Sequence, residues 1–158
     1  MSKIIMLLLF GLFFWFIFDF IFYAGLMVNF VEEYGIPLFF NEFFIESQFW
    51  WLWPIGILLY GAVFMVRNGN IYKMLFYILS FGLAGLTWIP EYGDLIGRAL
   101  FAKENVSYQF KSFTIKSATL MFSSRGFDYV LLHNKKRVIK YPSSYRKSNM
   151  SNKNLFIK

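Results

Sequence analysis

The stretch Ile4-IMLLLFGLFFWFIFDFIFYAGLM-Val28 decides the fold. About 20 apolar residues cross the roughly 30 Å hydrocarbon core of a bilayer as a helix, and this run is broken by a single charge, Asp19. Residues 4–23 hold 15 Leu, Ile or Phe. On an insertion scale these sum to about −4.5 to −9 kcal/mol, against about +2.5 to +3.5 for one central Asp. The apolar sum wins, so the segment is expected to insert. Lys3 ahead of an apolar run also fits a secretory leader. However, the run exceeds the usual h-region and lacks a small-residue cleavage site, which favours a retained span.

Two more apolar runs follow, giving expected spans at about 4–28, 49–66 and 71–89. Trp50, Trp51 and Trp53 crowd the start of the second and Arg67 closes it, as interface anchors do. Pro54 falls in its first turn, where a missing N–H costs little. The link Arg67-Asn68-Gly69-Asn70 is too short for anything but an antiparallel hairpin with the third run, which ends at Trp88 and Pro90. The expected fold is thus integral membrane and mainly α. Residues 1–89 make three transmembrane helices, followed by a juxtamembrane amphipathic helix over 90–104. A small basic β module over 105–142 and a flexible basic tail over 143–158 complete an α+β whole.

Charge is divided the same way. Residues 1–89 carry three basic and five acidic groups, and residues 90–158 carry 13 basic and four acidic. The whole net charge of +7 therefore belongs to the tail. The loop 29–48 holds Glu32, Glu33, Glu42 and Glu46 and no Lys or Arg, whereas Lys3, Arg67 and Lys73 mark the other ends of the spans. The positive-inside bias then places the N-terminus in the cytoplasm. The C-terminal module falls in the periplasm or outside, for a multi-pass protein of a bacterial-type inner membrane.

Within the acidic loop, Phe39, Phe40, Phe43 and Phe44 recur at helical spacing, the pattern of a short helix lying in the interface plane. Tyr92, Leu95, Ile96, Ala99 and Leu100 give the 90–104 helix its apolar stripe. Further on, Ser123-Ser-Arg-Gly126 is a turn signal, and Phe127–Leu132 with Arg137–Tyr141 reads as a hairpin about His133–Lys136. So small a β unit is expected to lean on a partner for its core.

Asp19 is the most informative residue. Gly11, Trp15, Asp19, Tyr23 and Met27 recur every four positions and form one ridge. An intramembrane carboxyl avoids lipid, so the ridge is expected to face protein. Asp19, Trp15 and Tyr23 then form an intramembrane polar site or partner contact. Tyr60, Tyr77, Ser80 and Thr87 are the available internal hydrogen-bonding partners. Gly56, Gly61, Ser80, Gly82, Ala84 and Gly85 are small and let helix backbones approach, so they are assigned to helix packing. Lys135, Lys136, Arg137 and Lys140 form a basic run suited to anionic lipid or an acidic partner.

With no cysteine, thiolate metal sites, disulfides and cysteine nucleophiles are excluded. His133 is the lone histidine and makes no metal site by itself. No Walker loop, G-x-S-x-G or H-E-x-x-H occurs. No enzyme, cofactor, metal or small-molecule substrate is indicated, and nucleic acid is not an expected partner. The expected role is a non-enzymatic accessory, assembly or protective (immunity-like) subunit. It would contact membrane lipid and a larger membrane protein, or a second copy of itself. The alternative is a small homo-oligomeric channel or carrier with Asp19 lining the path.

Overall fold

The computed structural model describes residues 2–67, 69–110, 114–132 and 137–147. The architecture is α+β, with five α-helices followed by a curled five-stranded antiparallel sheet. Two compact units divide the chain, Met1–Glu32 with Pro37–Ile96, and Glu33–Ile36 with Gly97–Lys158.

In the helical unit, α1 runs Lys3–Leu26 and continues as a π-helical stretch, Met27–Glu32. Ser2 caps it, its hydroxyl accepting from the Ile5 amide at 3.4 Å. Then come α2 (Phe40–Glu46), α3 (Leu52–Met65) and α4 (Asn70–Gly85). A 3₁₀ turn, Leu86–Trp88, leads into α5 (Pro90–Phe101). Pro90 opens α5, where it suits a first turn and separates α5 from α4.

Among the described residues, two helical stretches are long and apolar enough to cross a membrane: Lys3–Glu32, 30 residues with mean hydropathy 2.6, and Asn70–Trp88, 19 residues with mean hydropathy 1.3. A helix apolar on every side lies either in a protein core or against lipid. Only 11% and 17% of these two most apolar windows are buried, so neither is a core helix of this chain. The expected second span, 49–66, forms a helix of only 14 residues. Its first residues make turns instead, with the Leu52 amide bonded to the Phe49 carbonyl and that of Trp53 to Trp50. Fourteen residues rise about 21 Å, short of the roughly 30 Å core. Helix length and composition therefore show two candidate spans among the described residues, and the third expected span, 49–66, is not shown by its helix length.

The contacts fix helix directions. Phe10 stacks on Phe64, Gly61 meets Leu7, and Gly56 meets Trp15, so α3 runs antiparallel to α1. Phe14 contacts Tyr77, and Gly25 meets Thr87, so α4 runs parallel to α1. An aromatic seam of Phe14, Tyr60, Phe76, Tyr77 and Phe81 fills the space between the three helices. α2 lies beside residues 16–23 of α1, with Phe40 on Phe20, Phe43 on Tyr23 and Phe44 on Phe16 and Tyr23. Phe39, expected on that apolar face, precedes the helix and is exposed.

The β unit comprises β1 (Lys103–Gln109), β2 (Thr114–Ser124), β3 (Phe127–Leu131), β4 (Ile139–Pro142) and β5 (Arg146–Lys147), in the order β4-β3-β2-β1-β5. Arg125 and Gly126 both have positive φ (47° and 80°), the signature of a two-residue type I′ hairpin turn. Asn105 (φ 57°) sits at a register shift in β1, a conformation Asn tolerates better than most residues. Flat sheet geometry would hold β1 and β4 about 14 Å apart, three strand spacings. The Tyr108 and Tyr141 rings approach to 5.8 Å, and Phe110 to Tyr141 is 5.0 Å, so the sheet rolls up. Tyr108, Ala118, Leu120 and Val130 form its core. Residues 143–147, placed in the tail from the sequence, supply a 3₁₀ turn and β5. Residues 148–158 lie outside the described residues.

Candidate functional site

From Gly11 to Tyr23 the ridge of α1 faces protein, and Met27, its last expected member, is half-buried. Gly11 lies under α3 so closely that a Cβ would overlap the Ile57 carbonyl, and Gly56 returns the approach by seating the Trp15 ring. Asp19 and Tyr23 are buried. The partner of Asp19 is none of the four expected. Gln48 donates to its carboxylate, Nε2 to Oδ2 at 2.6 Å, and the Gln48 carbonyl accepts from Trp53 Nε1 at 2.8 Å. One turn along, the Tyr23 hydroxyl donates to the Ser47 carbonyl at 2.7 Å. Asp19 and Tyr23 thus hold the 47–53 segment against α1 and set where α3 begins. The Trp15 indole N–H and the Ser47 hydroxyl are buried without a partner among the described residues.

The four expected partners are used elsewhere. The hydroxyls of Tyr60 and Ser80 bond each other, and Tyr77 donates to the Tyr60 carbonyl at 3.2 Å. The one Thr87 hydroxyl proton is shared between the carbonyls of Phe22 (2.9 Å) and Ala84 (2.8 Å), and Asn29 donates to the Thr87 carbonyl at 2.9 Å. Gly25 and Gly93 admit Thr87 between α1 and α5, since a Cβ at either would overlap it. Carbonyls offer two lone pairs, so helix carbonyls accept these side chains without leaving their own ladder.

Of the residues assigned to packing, Gly56, Gly61, Ser80 and Ala84 meet neighbours in this chain. Gly82 and Gly85 do not, among the described residues: a Cβ at either would find nothing within 4 Å there. They belong to the outer face of α4, where Leu75, Ile78, Leu79 and Leu83 are exposed. In the 90–104 segment, Tyr92 and Leu95 of the expected stripe are exposed, and the closely packed position is Gly93.

The basic run is only partly described. Lys135 and Lys136 lie outside the described residues, as does His133. Lys140 sits over the Phe127 ring at 4.0 Å and near Tyr129 at 5.9 Å, a cation–π arrangement on the outside of the sheet. The Arg137 stem runs beside Gly35, and the Val138 amide bonds the Tyr34 carbonyl at 3.1 Å, which ties residues 33–36 to the sheet.

A second polar cluster has no counterpart in the sequence expectations. Asp128 is fully buried. It accepts from Tyr108 (2.9 Å), Ser123 (2.9 Å), Ser143 (2.8 Å) and Arg146 (2.8 Å), which come from β1, β2, the 3₁₀ turn and β5. Burial first, and the bond to Asp128 second, push the Tyr108 phenol above its ordinary range, so it stays a neutral donor. Four donors converge on one carboxylate, and Arg146 also donates to the Ser123 hydroxyl at 3.3 Å, so the cluster ties β1, β2, the 3₁₀ turn and β5 together.

No group of three or more metal-ligating side chains occurs among the described residues. Comparison with protein-family models, with curated proteins and with solved structures finds no match to this chain.

Proposed function

We propose that this chain is a three-pass, non-enzymatic accessory, assembly or protective subunit of a bacterial-type inner membrane, which docks on a larger membrane protein. The crossing elements are α1, the 49–66 segment built on α3, and α4. Alternating helix directions support this reading, as does the placement of Lys3 before α1 and Arg67 after α3 at one end of the helical unit. That end is cytoplasmic by the positive-inside bias.

One observation carries the docking reading. The exposed face of α1 is made of bulky side chains, Ile5, Leu9, Leu12 and Phe13, which fill space against lipid. The exposed face of α4 instead carries open glycines at Gly82 and Gly85 among leucines. Small residues bring helix backbones together in a bilayer, where dispersion contacts rather than hydrophobic burial drive association. A partner helix fits there, and lipid gains nothing from the gap. The closed environment of Asp19, held by Gln48, supports this reading over a channel lined by that residue. Arg137 and Lys140 supply a second contact, to anionic lipid or an acidic partner.

The test is Gly82→Leu. The site is open, so the isolated chain is expected to fold and insert as wild type while recovery of its complex in mild detergent falls about ten-fold or more, equivalent to about 1.4 kcal/mol. Unchanged recovery contradicts the docking role of this face.

A further inference from the structure

We propose that the headgroup layer of the membrane meets this protein at the level of Asp19, through a belt of tryptophans, and that the rest of α1 and its π-helical extension stand outside the hydrocarbon. The proposal rests on the three-pass reading above and deepens it. Four of the five tryptophans converge on one level of α1. Trp53 reaches Asp19 through Gln48, and the Trp50 ring packs 5.5 Å from that of Trp53. Trp51 lies between them in the chain, and Trp88 Nε1 donates to the Ile21 carbonyl at 3.0 Å. Asp19 and Ile21 are only about 3 Å apart along a helix axis. Trp50, Trp51 and Trp88 are exposed. An exposed indole with an apolar body and a polar N–H settles at the headgroup level.

Polar side chains gather at the same height. α2 packs beside residues 16–23, and its Asn41 and Glu46 are exposed. A lipid-facing carboxylate deep in the hydrocarbon would be strongly disfavoured, so that level lies at the water boundary. Beyond it, Asn29 bonds Thr87 and Glu32 is exposed. At the opposite end, Lys3 precedes α1 and Arg67 follows α3. From Ile4 to Asp19 the helix rises about 22 Å, and α3 rises about 21 Å. The two lengths agree with each other and fall short of the roughly 30 Å core, so the bilayer thins around the protein to meet its belt.

The experiment uses the full wild-type chain in phosphatidylcholine vesicles that carry a nitroxide either close to the headgroup or close to the end of the acyl chain. Tryptophan emission is expected to be quenched about two-fold more by the shallow label, as for an interfacial belt. Equal quenching, or stronger quenching by the deep label, overturns the proposal and leaves the three-pass reading in place. Protection from both labels, with release of the protein by alkaline carbonate, overturns the three-pass reading as well.

Discussion

Gly61→Leu is expected to abolish the folded helical unit, while Gly82→Leu leaves it intact. Gly61 sits where α3 crosses α1, and a Cβ there would overlap the Leu7 carbonyl and press on the Leu7 side chain. A side-chain clash can be relieved by a rotamer change, but a helix carbonyl moves only with its helix. Separating the helices also unseats Phe10 from Phe64. Overpacking typically costs about 1–3 kcal/mol and more where the backbone is the obstacle, so a loss of about 3 kcal/mol or more is expected. Denaturant titration followed by circular dichroism and tryptophan emission in detergent measures it. Equal stability of Gly61→Leu and wild type would show that α1 and α3 do not pack as described.

Asp128→Ala is expected to be the most damaging change in the β unit. The carboxylate takes four hydrogen bonds, and its removal strands the Tyr108 and Ser143 hydroxyls and leaves Arg146 only its 3.3 Å bond to the Ser123 hydroxyl. Arg146 is 31% exposed, so water rehydrates part of its charge, whereas Tyr108 is fully buried and gains none. Removing one partner of a buried pair costs about 3–5 kcal/mol. The 3₁₀ turn and β5 are held by the same carboxylate, so they detach first. Proteolysis after Arg125 and Lys140 should accelerate about a hundred-fold or more, if opening is fast relative to cleavage. Asp128→Asn, which keeps the volume and one acceptor, should fall between. A cleavage rate unchanged in Asp128→Ala would place the closure of the sheet elsewhere.

The fold is legible in the sequence where one residue type dictates one local conformation. The apolar run 4–28, the break at Pro90 and the turn at Arg125-Gly126 each appear where their chemistry placed them. The fold is hidden where composition is silent about conformation. Phe49–Val66 is uniformly apolar, yet Gln48 draws Trp53 toward Asp19 and the chain turns before α3 can begin. The partner of Asp19 was legible only as an isolated amide at the edge of an apolar run, because periodicity finds neighbours on one helix and not across two. The stripe at Tyr92 and Leu95 was visible, but it is Gly93, too small to mark a face, that packs against Thr87 and Asn29. The Asp128 cluster left no signature, since its donors lie 5 to 20 residues away on separate elements and only the rolling of the sheet gathers them.

The outer face of α4 is tested most directly by photo-crosslinking in native membranes, with a photoreactive side chain at Leu79, which is 65% exposed one turn before Gly82. A control probe at Phe13 reports the bulky face of α1. The docking account predicts a discrete protein adduct from position 79 that Gly82→Leu abolishes, with only lipid labelled from position 13. Lipid labelling alone from both positions would contradict it.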